Sequence, residues 1–447
     1  MNYFSASRPG VESCSELERR FSLNDGSMVF IPLLFYAFFC QSLAASVLAL
    51  DVCLLLSATA LLLHFVTNRR FACKRFGLEL AWAPFFVLFF IHSLIYGVAN
   101  LTLLVVYTLL FLCMYVAAGE RSWVTSCLRV LVAFAAFHAF CTIVFWLVPA
   151  LYLPVKSAFF SGSYMARDYR SGFTAHYSTN SIYLSLGLVS WACGLAGSRK
   201  KVRIKDLMLS LMLLLALFLT TKRGPLVASV AAIVISYLFV NRKKLTGTML
   251  KTLVVAAIAV IAVGVLATFV PAVQATLERF IELSDDETGN GRSYLYDCAW
   301  SMFHAKPLLG CGWGTYSKYV ATTSLGAMYS NLGFSSMSAH NVYLQLLAET
   351  GVIGLAAFVV PAFLSILAAM HRSESLLEEG PYGDSFCLWA CLGVQIFFLI
   401  YCFSGNPLYD PQCYIPYFIS CVAAFAICGS DKMILNDREG FHGYLQR

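Results

Sequence analysis

Charge is what this sequence has little of. Only 12% of its 447 residues are Asp, Glu, Lys or Arg, against about 25% in a soluble domain. Hydrophobic residues make up 59%, and the mean hydropathy is +0.73. That shortage excludes a soluble globule, because the long uncharged runs would have no polar surface to cover them. Nucleic acid is excluded as a partner too: the net charge is +7, yet the positive residues fall in short loops between apolar runs. The first 27 residues, MNYFSASRPGVESCSELERRFSLNDGS, lack the basic start, apolar core and small-residue cleavage site of a removable signal peptide. The first apolar run is therefore expected to stay as an anchor. No internal repeat or low-complexity tract is visible. Sixteen cysteines are present, but most sit inside apolar runs such as CLWACLG (387–393), where the thiol behaves as a small hydrophobe. Those pairs have no histidine or carboxylate company to hold a metal. Cys298 and Cys311 lie instead in a polar stretch, and a disulfide between them is left open by sequence alone.

What the chain does have is a series of uncharged runs, each near the ~20 residues that cross a bilayer core as a helix. The expected fold class is an all-α polytopic membrane protein with about twelve transmembrane helices. The run at 28–66 is too long for one helix, and QSLAAS (41–46) suits a turn between two. Further runs lie at 80–97, 99–118, 124–147, 180–196, 206–221, 225–240, 252–271, 341–370, 386–403 and 411–428. Basic residues concentrate in TNRRFACKR (67–75), SRKKVRIK (198–205) and NRKKLTGTMLK (241–251), in alternate connections, which the positive-inside rule places in the cytoplasm. HRSESLLEEG (371–380) falls on that side without help from lysines. The expected organisation is a cytoplasmic tail (1–27), a first bundle (28–271), a long outward loop (272–340), the last helices (341–428) and a cytoplasmic tail (429–447).

Two outward connections, 148–179 and 272–340, exceed the usual loop length and so carry the functional expectation. In the longer one, VQATLERFIEL (273–283) has helical spacing. SYLYDCAWSMFH (293–304) would set Leu295, Cys298, Ala299 and Met302 on one helix face. The glycines of PLLGCGWGTYSKY (307–319) lack the dinucleotide-binding spacing and suggest a tight turn with close backbone approach.

Several polar residues fall on the outward side. Lys222 and Arg223, in TTKRGPL, are either snorkelling interfacial cations or an anion site in a turn that would normally be poor in both. Arg292, after an Asn–Gly turn, carries a fork of donors suited to phosphate oxygens, or is a solvated loop arginine. His340 in SAHNVYLQLLAETG (338–351) is the candidate general base, and otherwise a helix-capping residue. Asn341 could donate to a sugar hydroxyl or cap the helix. Tyr164, Arg167, Arg170, His176, Tyr177 and Asn180 form a polar, aromatic group suited to carbohydrate or to any wet interface. The acidic triplet Asp285, Asp286 and Glu287 is a weak cation candidate.

Together these residues resemble the O-antigen ligase and polysaccharide polymerase family of bacterial membrane glycosyltransferases. The likeness is sharpest across GNGRSYLYDCAWSMFHAKPLLGCGWGTY and SAHNVYLQLLAETGVIGL, in order and spacing, with TKRGPL and GFTAHYSTNSIYL as further matches. It implies a C-type glycosyltransferase architecture in the cytoplasmic membrane, with no cofactor or metal. The implied donor is an undecaprenyl-diphosphate-linked glycan, with Arg223, Arg292 and Lys222 on the diphosphate and His340 activating or binding the acceptor. Asn341, Arg170, His176, Tyr177 and Asn180 would meet glycan or acceptor. Lys222 stands where the family often has serine or threonine. A polymerase of lipid-linked repeat units is the leading expectation, then a ligase, then a lipid-linked-oligosaccharide flippase. The bilayer, a chain-length regulator and a flippase are the implied partners.

Overall fold

A computed structural model describes residues 25–40, 46–67, 78–97, 101–117, 121–160, 168–198, 202–242, 245–269, 271, 273–278, 292–324, 326, 337–374, 376 and 383–444. Every regular element among them is helical. Twelve apolar helices coincide with the twelve runs. They are α1 (Asp25–Phe35, extended by a wider turn to Cys40), α2 (Ser46–Thr67), α3 (Ala83–Tyr96), α4 (Leu101–Ala117), α5 (Ser122–Leu147), α7 (Tyr177–Ser198), α8 (Ile204–Leu219), α9 (Arg223–Val240), α10 (Leu245–Phe269), α13 (Val342–Arg372), α14 (Asp384–Tyr401) and α15 (Pro411–Tyr444). Six of these, α5, α7, α9, α13, α14 and the first part of α15, are long and apolar enough to cross a membrane. Three shorter helices fill the long connections: α6 (Tyr152–Phe159), α11 (Arg292–Ala305) and α12 (Tyr316–Ala321).

Helices hydrophobic all round belong in the middle of such a bundle. In α7 and in Pro411–Cys428, 83% of the spanning window is buried, and in α14 78%, whereas α9 buries 39% and α13 33%. The central pair α7 and α14 touch closely because small residues face large ones. A Cβ on Gly194 would lie 2.7 Å from the Phe386 ring, and one on Gly197 2.2 Å from Trp389. The peripheral helices leave Leu62, Leu94, Met208, Leu211 and Phe363 exposed, an apolar girdle suited to lipid.

Side-chain contacts join connections expected on one side to one another. At one end Arg121 pairs with Asp384, Arg242 with Glu374, and Ser385 Oγ donates to the Gly197 carbonyl at 2.9 Å. At the other, Thr276 Oγ1 donates to the Phe218 carbonyl at 3.2 Å, and Lys306 Nζ lies 5.7 Å from the Tyr96 ring centroid.

The expected helix over 341–370 is not continuous. Gly351 takes φ +66° and ψ −167°, breaking α13 within its third turn. The segment 307–312 repairs the opened ladder. Cys311 and Gly312 N–H donate to the Ala348 and Glu349 carbonyls at 3.0 and 2.8 Å, and Val352 N–H donates to the Pro307 carbonyl at 2.9 Å. The tight turn expected from the glycines is present, with φ +69°, +116° and +75° at Gly310, Gly312 and Gly314. A Cβ on Gly310 would sit 2.3 Å from the Glu349 carbonyl carbon. In α11, Leu295, Cys298, Ala299 and Met302 form the buried face, packed with Tyr316, Val320, Ala339 and Ala348. Cys298 and Cys311 are free thiols.

Candidate active site at one end of the bundle

The turn between α8 and α9 is strained. Thr221 has φ +57°, a left-handed conformation that opposes a β-branched side chain. It ends α8 and presents Lys222 and Arg223, the latter half-buried at the first position of α9. Lys222 Nζ lies 4.3 Å from the centroid of the Tyr177 ring, at the start of α7. The Arg170 guanidinium stands 5.7 Å from the same ring and grips Asp168, Nε to Oδ1 at 2.8 Å and Nη2 to Oδ2 at 2.7 Å. That hydrogen-bonded pair holds the Arg170 pKa above its ordinary value. His176 stacks on Tyr177 at 4.4 Å, while its Nδ1 accepts the Ser178 N–H at 3.0 Å. Lys222, Arg170, His176 and Tyr177, from two distant stretches, thus form one aromatic and cationic wall.

Asn180 does not join that wall. It is fully buried, and its Nδ2 donates to Thr142 Oγ1 and to the Arg170 carbonyl, each at 2.9 Å. Its work is to tie the 168–172 segment to α5, because a buried amide must spend its donors on protein. Tyr164, Arg167 and the triplet Asp285, Asp286 and Glu287 lie outside the described residues.

Arg292 opens α11 and is exposed. His340 has φ +51°; it and Thr221 are the non-glycine residues with positive φ among those described. Next to it Asn341 caps α13, Oδ1 accepting from the Leu344 N–H at 3.2 Å. Its amide nitrogen makes no hydrogen bond among the described residues. Crowding by protein, then the positive charges of Arg292 and Lys222, lower the His340 pKa below its ordinary value. Residues from the α8–α9 turn, from the start of α11 and from the segment before α13 therefore share one electrostatic environment.

The connection from α14 to α15 closes the site, and the sequence reading passed over its chemistry. A Cβ on Gly224 would lie 3.4 Å from Ser404 Oγ and 3.8 Å from the Tyr401 ring, so the α8–α9 turn rests on the end of α14. Tyr401 is within electrostatic reach of both Arg292 and Asp410. Burial pushes the Asp410 carboxyl up to about 7. Asp410 is the only acidic residue in GNPLYD (405–410), a signal available from sequence once that connection is placed beside the cations. Glu349 is fully buried, within the broken α13.

This arrangement suits a polyanion held beside an imidazole. Residues 208–359 match the family model described as O-antigen ligase. The similarity to that family covers about a third of the chain. The matched segment contains Lys222, Arg223, Arg292, His340 and the Gly351 break, whereas the 168–177 wall and the Tyr401–Asp410 closure lie outside it. No curated protein matches the chain.

Proposed function

We propose that this protein polymerises undecaprenyl-diphosphate-linked oligosaccharide repeat units into a surface polysaccharide, by metal-independent, inverting transfer at the outer face of the bacterial cytoplasmic membrane, with both termini in the cytoplasm. One arrangement carries the reading: His340, on a left-handed backbone, shares one electrostatic environment with Arg292 and Lys222, whose charges, after crowding, lower its pKa. A lipid diphosphate leaves readily when its developing charge is neutralised, which is the task of Arg223, Arg292 and Lys222. His340 Nδ1 or Nε2 accepts the acceptor hydroxyl proton as its oxygen attacks the anomeric carbon. The C–O bond to diphosphate breaks on the opposite face, so the anomeric configuration inverts. Tyr177, with His176 and Arg170, supplies a ring face and donors for the growing glycan.

A ligase that moves a finished glycan from undecaprenyl diphosphate to a cell-surface acceptor is the second reading, favoured by the description of the matching family. The flippase reading draws less support, because coupled transporters place ionisable residues along a path through the membrane. A chain-length regulator and a flippase are the partners this chemistry calls for.

The test uses purified protein in lipid, a diphosphate-linked repeat unit and no other acceptor, with products separated by size. A ladder of lengthening lipid-linked chains from the wild type, absent from His340→Ala, supports the polymerase. Transfer only after a candidate acceptor lipid is added favours the ligase instead. Chelator is expected to leave the rate unchanged, and strict dependence on a divalent ion would overturn the metal-independent chemistry.

A further inference from the structure

Behind His340 lies a buried polar chain that the proposed chemistry does not use. The Ala339 N–H, one residue before the histidine, donates to Gln345 Oε1 at 3.1 Å. The same oxygen accepts Asn406 Nδ2 at 2.6 Å. Gln345 Nε2 donates to Glu349 Oε1 at 3.3 Å. Glu349 Oε1 also accepts the Tyr316 N–H at 3.1 Å, and its Oε2 accepts the Tyr409 hydroxyl at 2.7 Å. Gln345 and Asn406 are 5% and 7% exposed, and Glu349 and Tyr316 are fully buried.

These bonds dictate one orientation of the Gln345 amide. Its oxygen faces the Ala339 backbone N–H, which can only donate, and the Asn406 amide, while its nitrogen faces Glu349 Oε1. A flipped amide would set donors against donors and an oxygen against an oxygen. The chain also gathers four separate pieces: the glycine turn before α12, the segment carrying His340, the first turns of α13 and the α14–α15 connection. The left-handed backbone of His340 needs such restraint, since a non-glycine residue at φ +51° persists only where its surroundings over-determine it.

We infer that Gln345 is a positioning residue for His340: through the Ala339 amide it holds the imidazole at the reaction site, and Glu349 sets the orientation of the Gln345 amide. The inference rests on the proposed role of His340 as the residue that receives the acceptor proton. Neither Gln345 nor Glu349 touches the diphosphate, so the effect belongs to turnover and not to donor binding.

Gln345→Leu removes the acceptor for the Ala339 N–H at nearly constant volume. Gln345→Glu, in its protonated form, keeps an oxygen for Ala339 and Asn406 and a donor for Glu349. Both are compared with wild type and His340→Ala in lipid, measuring kcat, KM for the lipid-linked repeat unit, binding of undecaprenyl diphosphate alone, and the acid limb of the kcat profile. Gln345→Leu is expected to lower kcat about a hundredfold, the usual scale for a catalytic group displaced by about 1 Å. Undecaprenyl diphosphate binding stays at wild-type strength. The acid limb moves to higher pH, because His340 is no longer held against Arg292 and Lys222. Gln345→Glu is expected to recover most of the loss. Wild-type kcat and acid limb in Gln345→Leu overturn the inference, as do equal losses in both variants or lost diphosphate binding. Full activity of His340→Ala would instead overturn the reading of His340 on which the inference stands.

Discussion

Lys222 Nζ lies 4.3 Å from the centroid of the Tyr177 ring. The two residues belong to separate sequence stretches, one a two-cation turn and the other the start of a central helix. Their contact makes a single wall out of a diphosphate candidate and a glycan candidate.

Tyr177→Ala should weaken transfer by removing the ring under Lys222 and the stacking face. Cation–π contacts contribute about 0.5–2 kcal/mol, so a loss on that scale in kcat/KM is expected. Tyr177→Phe keeps the ring and should keep activity. Equal losses in both would assign the effect to the hydroxyl.

Arg292→Ala should cost about 10²–10³ in kcat, the range for one lost electrostatic donor at a developing negative charge. Arg292→Lys should recover part of it, because charge survives while the two-pronged geometry does not. Membrane insertion and thermal midpoint should match wild type, since Arg292 is an exposed first residue of α11. Wild-type turnover of Arg292→Ala would remove it from the site.

The pH profile has a defined sign. His340 is held below its ordinary pKa by crowding and by Arg292 and Lys222, so it is neutral down to lower pH than a free imidazole. Activity that needs neutral His340 therefore persists into mild acid and falls as pH drops through the lowered pKa. Lys222→Gln removes one positive neighbour and should move that acid limb upward, while Lys222→Arg should leave it in place. The check is kcat against pH for the three proteins.

Lys156 offers a stability test away from the chemistry. It is fully buried between the Tyr152 and Phe160 rings, and its Nζ donates to the Thr174 carbonyl. Burial lowers its pKa from 10.5 to about 7. Between those values the unfolded chain binds more protons than the folded one, so this residue's contribution makes stability rise with pH from about 7 to about 10.5. Lys156→Met should flatten that rise and be as stable as wild type or more so near pH 7. Thermal midpoints at pH 7 and pH 9.5 distinguish the two behaviours.

Gly351 and Gly247 make a matched pair. A Cβ at Gly351 would meet the Leu308 carbonyl oxygen at 2.3 Å with φ at +66°, whereas one at Gly247 meets nothing within 4 Å. Gly351→Ala should destabilise by at least the ~1–3 kcal/mol of a strained backbone position and loosen the 307–312 clasp. Gly247→Ala, within α10, should be neutral or stabilising by about 0.5–1 kcal/mol. Hydrogen exchange over 307–312 and thermal midpoints provide the check.

Much of this was legible in the chain because a bilayer imposes its period and length directly on sequence. The twelve helices, the buried face of α11 and the glycine turn follow from apolar runs, helical spacing and residues that tolerate positive φ. The candidates Lys222, Arg223, Arg292 and His340 were legible for a related reason: cations and a histidine stand out where polar residues are few. Pairings between distant segments were not, since no local rule says which connection lies over which helix end. Only the folded bundle seats Lys222 on Tyr177, brings Tyr401 within electrostatic reach of both Arg292 and Asp410, and joins Gln345 to Ala339 and Glu349. Burial, which is a property of the whole fold, makes Asn180 a tie between the 168–172 segment and α5 and gives Lys156 and Glu349 their surroundings. Local sequence thus sets which residues are available to the site, and long-range packing decides which of them meet.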